Sequence, residues 1–224
     1  MTRCSSFPRA SQAMLPSSKR AAIVLAGGES SRFGSNKALG LLVGKPLVRH
    51  VVERLSHVVD EILVIIGHNE SRAGYDPILP SSVQVMNDEQ EGKTPLIGIV
   101  TGLQAAKSHY ALVSACDIPF VNEEVIGLLF RRASGVDAAI PRWNEGHIES
   151  LEAVYRTAST LQAARGTLAP SGLPLREMIG KLAQVAYVSV EHEIAKIDPD
   201  LRTFFNVNTR EDMERAEKMF NAPR

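Results

Sequence analysis

LAGGESSRFGSNK, residues 25–37, is the stretch of sequence that decides the fold class of this chain. It continues the apolar run AAIVLA of Ala21–Ala26, which has the composition of a central strand buried on both faces. A buried strand that runs directly into a glycine-rich loop is typical of an open α/β sheet. In such sheets, ligands bind beyond the carboxyl ends of the parallel strands, where this loop would lie.

The loop also predicts phosphate binding. Glycines such as Gly27 and Gly28 let backbone N–H groups approach an anion closely, and Arg32 and Lys37 supply positive charge. The spacing is neither that of a Walker A loop nor G-x-G-x-x-G. The alternative is an ordinary strand-to-helix turn with solvated basic side chains. The presence of both Arg32 and Lys37 favours phosphate binding.

The rest of the chain alternates strand-like and helix-like segments, which predicts a single Rossmann-like three-layer α/β domain with a mostly parallel sheet and helices on both faces. Further strands are predicted at Ile62–Ile66, Val83–Met86, Tyr110–Ala115, Ala138–Ile140, Leu151–Tyr155, Val185–Val190 and, in the tail, Phe204–Val207. Helices are predicted to begin at Pro46, Thr94–Pro95 and Asn122, to span Thr157–Ala164 and Leu175–Leu182, and to follow a cap of Thr209 with Asp212.

Domain organisation follows from the same pattern. Residues 21–220 are expected to form one domain, whose first half binds a ligand and whose second half shapes the site. Residues 1–20 contain four basic residues, five serines and no acidic residue. They are expected to be a disordered extension or the product of an upstream start codon, with an organelle transit peptide as the alternative.

Composition excludes several classes of protein. The 224 residues are 44% hydrophobic and 22% charged, an ordinary globular balance. Basic and acidic residues are equal at 25 each, so no net positive field would attract nucleic acid or a membrane surface. Cys4 and Cys116 suggest neither a disulfide framework nor a zinc site. The apolar runs are too short to span a bilayer. A cytoplasmic protein is expected.

Asp117, in the segment Cys116-Asp117-Ile118-Pro119-Phe120, is the candidate metal ligand. A carboxylate at the carboxyl end of a parallel strand is well placed to hold Mg²⁺ together with phosphate oxygens. The alternative is a cap or Asx-turn before the helix at Asn122. The phosphate loop predicted nearby favours the metal.

Four further side chains are candidates with open alternatives. Asp88 follows the third strand and either binds a nucleotide or caps a loop. Asn206 and Asn208 would point the same way if extended, toward metal-bound phosphate, unless they belong to a turn before the helix. Trp143, the only tryptophan, either stacks on a flat ring or packs in a loop. The histidines show no metal-ligand spacing, and no serine lies in a G-x-S-x-G elbow.

Together these motifs resemble the molybdenum cofactor guanylyltransferase family within the nucleotidyltransferase superfamily. LAGGESSRFGSNKAL, the downstream GKPL, Asp88 before Pro95-Leu96, Cys-Asp-Ile-Pro-Phe and Asn206-Val207-Asn208-Thr209 occur in the family's order across roughly residues 20–220. The Leu-Ala-Gly-Gly form is more typical of guanylyl than of cytidylyl transfer.

The resemblance implies transfer of GMP from GTP to molybdopterin, with release of pyrophosphate and with Mg²⁺ as cofactor. Nucleotide contacts would come from Leu25, Ala26, Gly27, Gly28, Lys37 and Asp88. Asp117 would hold Mg²⁺ and act in catalysis with Arg32 and Lys37. Other molybdenum cofactor biosynthesis proteins and acceptor apo-oxidoreductases are the partners it implies.

The sequence departs from the family pattern at a few positions and leaves two other functions open. Ile66 stands where some members carry a nucleotide-contacting Asn, Thr94 replaces a common Gly, and Arg210 replaces the usual Pro. A related transferase with another acceptor, such as a sugar phosphate or cobinamide phosphate, or a CTP-dependent pterin enzyme, is the nearest alternative. A non-catalytic nucleotide-binding carrier is the alternative of another class.

Overall fold

The computed structural model describes residues 19–27, 36–92, 94–167 and 175–221. The strands are β1 (Arg20–Leu25), β2 (Leu41–Leu42), β3 (Lys45–Pro46), β4 (Glu61–Ile66), β5 (Gln84–Asn87), β6 (Tyr110–Ala115), β7 (Ala138–Arg142), β8 (Glu152–Arg156) and β9 (Val185–Ser189). The α-helices are α1 (Leu47–Leu55), α2 (Pro95–Ala105), α3 (Glu123–Ala133), α4 (Thr157–Arg165), α5 (Leu175–Gly180) and α6 (Arg210–Asn221).

Seven strands form one sheet in the order β5-β4-β1-β6-β8-β7-β9, and β2 pairs with β3 in a small separate ribbon. β1 pairs in parallel with β4 and β6, β4 with β5, and β7 with β9. β8 is antiparallel to β7, to which a direct connection without a helix joins it, and it is antiparallel to β6 as well. The predicted mostly parallel sheet is confirmed, and β1 lies near its centre.

Helices cover both faces of the sheet, as predicted. One core packs α1 and α3 against side chains such as Val24 and Val64. The other packs α2, α4 and α5 against side chains such as Ile23 and Leu63. Successive residues of β1 and β4 therefore enter opposite cores, which explains why these strands read as continuous apolar runs.

α2 lies unusually close to the sheet. A Cβ atom on Gly102 would lie 2.4 Å from Ile23 Cγ2, and one on Gly98 would lie 2.9 Å from Leu25 Cδ2. The glycines, four positions apart, thus let the helix approach β1. The Oγ1 of Thr94 caps the helix by accepting the Leu96 N–H at 3.3 Å. The amino end of α2 is thereby held at the carboxyl edge of the central strands.

The prediction of a strand at Phe204–Val207 is wrong. The chain instead forms a 3₁₀ turn at Arg202–Phe204 followed by an irregular segment. The buried carboxylate of Asp198 fixes this turn by accepting the N–H and the hydroxyl of Thr203, at 2.8 and 2.7 Å. Val207 N–H donates to the backbone of Asp117 at 2.9 Å and not to a strand ladder. Val207 is apolar and is buried by a loop, and this apolar position was mistaken for part of a strand.

The predicted cap of the last helix is confirmed. Asp212 N–H donates to Thr209 Oγ1 at 3.1 Å, and Thr209 N–H donates to Asp212 Oδ2 at 3.0 Å. Among the described residues, no helix has the length and apolar character needed to cross a bilayer. Residues 1–18, and with them most of the predicted N-terminal extension, lie outside the described residues.

Candidate active site

Lys37 and Asp117 form an ion pair at the carboxyl edge of the sheet. Lys37 opens a 3₁₀ turn after the glycine-rich loop, and Asp117 lies two residues beyond the end of β6. The ammonium contacts Oδ2 of Asp117. The other carboxylate oxygen, Oδ1, is buried and has no hydrogen-bond partner among the described residues. A buried carboxylate oxygen without a donor is costly unless a ligand or ion completes it.

Asn208 is the third member of this cluster, since its Oδ1 accepts from Lys37 Nζ at 2.9 Å. Asp212 Oδ2 anchors the segment by accepting the Asn208 N–H at 3.1 Å. Burial alone would raise the pKa of Asp212, but this bond and those from Thr209 hold it below its usual range. The cap of α6 therefore places Asn208 against the lysine.

Asn206 is not brought to the same cluster. Its Nδ2 donates to the Phe204 carbonyl at 3.2 Å in an exposed position. The prediction that the two asparagines point the same way assumed a strand-like segment, and no strand forms over these residues. The structure thus brings Asn208, and not Asn206, to Lys37 and Asp117.

Sequence reasoning missed the side chains that support Lys37. The preceding residue, Asn36, accepts the Ala38 N–H at 3.0 Å and so caps the turn on which Lys37 lies. Its Nδ2 donates to Glu70 Oε1 and, at 2.9 Å, to the Tyr75 hydroxyl. Asn36 as a cap residue could have been found from the sequence, but no local signal marked Glu70 or Tyr75.

Gly27 lies where β1 ends against the loop that follows β4. The N–H groups of Ala26 and Gly27 both donate to the Ile65 carbonyl, at 2.7 and 3.0 Å. A Cβ on Gly27 would lie 2.6 Å from the backbone nitrogen of Gly67. Gly27 is therefore required by packing between two chain segments, in addition to any role toward a phosphate. Leu25 lies beside it, whereas Gly28 and Arg32 fall outside the described residues.

Asp88 lies beyond the end of β5, facing α2. Its Oδ1 is 3.4 Å from the Thr101 hydroxyl and would be 3.3 Å from a Cβ on Gly98. Burial raises the pKa of Asp88 to about 6, although the Thr101 hydroxyl and His68 oppose the shift. An acidic side chain that is half-buried at the carboxyl edge, near the β1 end, is suited to accept hydrogen bonds from a nucleotide.

Cys116 and Trp143 have packing partners. Cys116 is buried, and burial raises the pKa of its thiol to about 12, which makes it a poor nucleophile. The indole of Trp143 donates to Glu149 Oε1 at 2.7 Å, and its ring lies 5.8 Å from that of Phe204. Trp143 is thus held in place by a hydrogen bond and an aromatic contact.

Glu152 is a buried carboxyl group that the sequence reasoning did not single out. It begins β8, and its Oε1 accepts the Ala115 N–H at 3.0 Å, while Oε2 has no hydrogen-bond partner among the described residues. Burial raises its pKa well above the usual range, and the charges of Asp117 and Glu149 raise it further. A glutamate inside the apolar run Leu151–Tyr155 was the available signal.

Oxygen donors at this edge fit a divalent cation. The free carboxylate oxygen of Asp117 and the amide oxygen of Asn208 are hard donors of the kind that Mg²⁺ prefers. Within the described ranges, no three or more His, Cys, Asp or Glu side chains cluster as a metal cage. A Mg²⁺ ion bound through the single carboxylate of Asp117 would need substrate phosphates among its other ligands.

A doubly covered, mostly parallel sheet with Lys37 and Asp117 at its carboxyl edge defines a Rossmann-like protein of the nucleotide-binding class. Residues 22–185 match the family described as the MobA-like NTP transferase domain. The chain belongs to this family and is a nucleotidyltransferase.

Named relatives agree with this assignment. The chain is 39% identical to a Methanosarcina acetivorans protein named "Probable molybdenum cofactor guanylyltransferase", over 87% of this chain and 88% of the relative. It is 33% identical to the Desulfosudis oleivorans "Molybdenum cofactor guanylyltransferase", over 90% and 96%.

Solved structures share the fold. The Archaeoglobus fulgidus molybdopterin-guanine dinucleotide biosynthesis protein A superposes with a TM-score of 0.75 at 28% identity, covering 90% of this chain and 98% of that one. The 4-diphosphocytidyl-2C-methyl-D-erythritol synthase of Anaerococcus prevotii gives 0.68 at 15% identity, covering 92% and 97%. The second likeness concerns the fold alone.

Proposed function

We propose that this chain is a molybdenum cofactor guanylyltransferase, which transfers GMP from GTP to molybdopterin and releases pyrophosphate. The observation that carries the proposal is the cluster of Lys37, Asp117 and Asn208 at the carboxyl edge, next to the glycine-rich loop. The names of its relatives indicate the guanine nucleotide and the acceptor.

The reaction needs charge neutralisation more than proton transfer. The attacking group is the phosphate monoester of molybdopterin, which is largely deprotonated at neutral pH because its second pKa is about 6. Its oxygen forms a bond to the α-phosphorus of GTP, and the bond from that phosphorus to the bridging oxygen of the β-phosphate breaks. The electron pair leaves with pyrophosphate, so no strong general base is required.

Lys37 is proposed to hold the triphosphate and to stabilise the leaving pyrophosphate. Its ammonium is fixed by Asp117 and Asn208, so little reorganisation is needed when phosphate arrives. Arg32, on the same loop of the sequence, is proposed to add a second cation. Asn208 sets the position of Lys37 from the far end of the chain.

Mg²⁺ is the proposed cofactor, held by Asp117 with Asn208 beside it. When bound, the ion would neutralise phosphate charge and polarise the phosphorus–oxygen bonds. The oxygen Oδ1 of Asp117 supports this assignment, because it is buried without a hydrogen-bond donor among the described residues and a bound cation would satisfy it.

Leu25, Ala26, Gly27, Gly28 and Asp88 are proposed to form the nucleotide side of the site. Asp88 would accept hydrogen bonds from the N–H groups of guanine, which offers two neighbouring donors. Residues 21–220 are proposed to act as one transferase domain in the cytoplasm, with other cofactor biosynthesis proteins and acceptor apo-oxidoreductases as partners.

Mass spectrometry of the product tests the proposal. Purified protein with GTP, Mg²⁺ and molybdopterin should yield an acceptor heavier by one GMP unit joined through a pyrophosphate linkage. An unmodified acceptor in the presence of bound GTP would overturn the proposal and favour the carrier function. Product formed with a sugar phosphate or cobinamide phosphate in place of molybdopterin would reassign the acceptor.

A further inference from the structure

A cleft of about 660 Å³ lies at the β7–β9 end of the sheet, away from Lys37 and Asp117. It is bounded by the end of β7, the loop that follows, β9 and α5. Its wall carries Arg142, Trp143, Glu145, Arg176 and Tyr187. Two arginines and two aromatic rings share this concave surface with the carboxylates of Glu145 and Glu193, so the cleft is suited to a flat ligand that carries both anionic groups and N–H donors.

The arginines of this cleft are available to a ligand. Arg142 lies with its guanidinium carbon 4.6 Å from the centroid of the Tyr187 ring, and the tyrosine is 39% exposed. Neither Arg142 nor Arg176 forms an ion pair with any described carboxylate. The nearby Arg132, in contrast, pairs with Glu193 at 2.8 Å. Cations that are left without a carboxylate partner in a cleft attract anions.

The cleft opens at the same edge of the sheet as Asp117. β7 runs parallel to β6, because β8 is antiparallel to both, so Arg142 at the end of β7 lies at the carboxyl edge. Two strand spacings separate β6 from β7, which places Arg142 laterally about 10 Å from the end of β6. A fused ring system in the cleft could therefore present a phosphate at the cluster of Lys37 and Asp117.

We infer that the cleft of Arg142, Arg176 and Tyr187 is the subsite for the ring system of the acceptor, a pterin. The inference rests on the proposed function, since the acceptor's phosphate must reach Asp117 while its ring needs a separate surface. Tyr187 offers a face for stacking, and the arginines attract the anionic dithiolene sulfurs of molybdopterin. Glu145, on the same wall, supplies an acceptor for pterin N–H groups.

Fluorescence of Trp143 tests the subsite without turnover. Trp143 is the only tryptophan of the chain and lines the cleft, so its emission reports a ligand there. The probe is 6-hydroxymethylpterin monophosphate, whose absorption overlaps tryptophan emission. We expect saturable quenching by this probe, after correction for absorbed light, and none by GTP alone.

Variants locate the binding. Tyr187→Leu should weaken probe affinity at least tenfold, and Tyr187→Phe should restore it by keeping the ring. Arg142→Gln, which removes a proposed partner of the dithiolene sulfurs that this probe lacks, should instead raise the KM for molybdopterin in the transfer assay. Arg215→Gln is the matched control, because Arg215 stacks on Phe205 at 5.0 Å in another part of the fold. Thermal unfolding of each variant checks that it is folded. Unchanged probe affinity in folded Tyr187→Leu would overturn the inference.

Steady-state kinetics separate this inference from the proposed function. In the transfer assay, Tyr187→Leu should raise the KM for molybdopterin at least tenfold and leave the KM for GTP unchanged. Normal turnover with an unchanged molybdopterin KM would overturn the subsite and leave the transfer intact. Saturable quenching that Tyr187→Leu removes, without any transfer from GTP, would support the subsite and overturn the transfer.

Discussion

Asn208 Oδ1 and Lys37 Nζ are 2.9 Å apart, although 171 positions of the chain separate them. The contact joins the segment before the last helix to the turn after the first strand. Because Lys37 also contacts Asp117, three distant segments meet at one point. The C-terminal helix thus helps to build the site as well as to stabilise the domain.

Replacing Asn208 should therefore impair the chemistry. We expect Asn208→Ala to lower kcat by about tenfold to a hundredfold, since a hydrogen bond to a charged group is worth about 1.5–3 kcal/mol. Asn206→Ala should have a markedly smaller effect, because Asn206 contacts the Phe204 carbonyl and not Lys37. Parallel measurement of kcat for the two variants checks this, and equal losses would count against it.

Asp117→Asn tests the proposed metal ligand. The substitution keeps the shape of the side chain but removes its charge, so turnover should fall about 10²–10³-fold while the fold is retained. Steady-state rates with increasing Mg²⁺, together with circular dichroism, provide the measurement. A variant with near-normal turnover at low Mg²⁺ would show that Asp117 is only a cap.

GTP affinity should depend on pH through Asp88. Burial raises the pKa of this carboxyl to about 6, so it loses its proton, and becomes a better acceptor, as pH rises past that value. Affinity for GTP, measured by calorimetry without acceptor, should rise about tenfold from about pH 5 to about pH 7.

Asp88→Asn is the matched control for that titration, because GTP's own terminal phosphate also loses a proton in this range. The phosphate contribution persists in the variant, whereas the Asp88 contribution disappears. Identical pH profiles for the wild type and the variant would remove Asp88 from nucleotide recognition.

Glu152→Gln should stabilise the protein at neutral to alkaline pH. Burial raises the pKa of Glu152 well above its unfolded value, so the folded state holds the proton more tightly. The contribution of Glu152 to the free energy of unfolding is most favourable at low pH and declines as the pH rises above the pKa of the unfolded state. The Tm of the variant should exceed that of the wild type at pH 8, and the gap should narrow toward pH 4.5. A gap that widens toward acid would contradict the assigned protonation state.

Gly27→Ala tests whether packing requires this glycine. The added methyl group would lie 2.6 Å from the Gly67 backbone nitrogen, so one of the two segments must shift. We expect a loss of about 1–3 kcal/mol in the free energy of unfolding, measured with urea. Gly44→Ala gives a comparison at a glycine whose Cβ position has no neighbour within 4 Å, although its φ of +74° adds backbone strain of its own. Full stability of Gly27→Ala would assign the glycine to ligand approach alone.

Local patterns predicted most of the fold. Apolar runs predicted β1, β4 and β6 because these strands are buried on both faces, and Thr209 with Asp212 predicted the last cap because its bonds lie within one turn. The prediction of a strand at Phe204–Val207 was wrong because residues outside the segment determine its conformation. This conformation is set by Asp198, which lies outside the segment and bonds Thr203, and by contact with the distant Asp117.

The candidate site likewise contains some residues that local patterns predict and others that they do not. Lys37 and Asp117 each follow a predicted strand, so the sequence alone predicts that both lie at the carboxyl edge of the sheet. The network of Asn36, Glu70 and Tyr75 depends on how two loops pack, and no spacing in the chain encodes it. The cleft of Arg142 and Tyr187 likewise requires the pairing of β7 with β9, which only the folded sheet supplies.

Pyrophosphate release by the purified protein, with Mg²⁺ and molybdopterin and with GTP or CTP in parallel reactions, tests the central claim most directly. We predict pyrophosphate release with GTP and only background release with CTP. Both the rate and the amount of the release with GTP should depend on molybdopterin. Release with CTP and not with GTP, or no release while GTP remains bound, would contradict guanylyl transfer to molybdopterin.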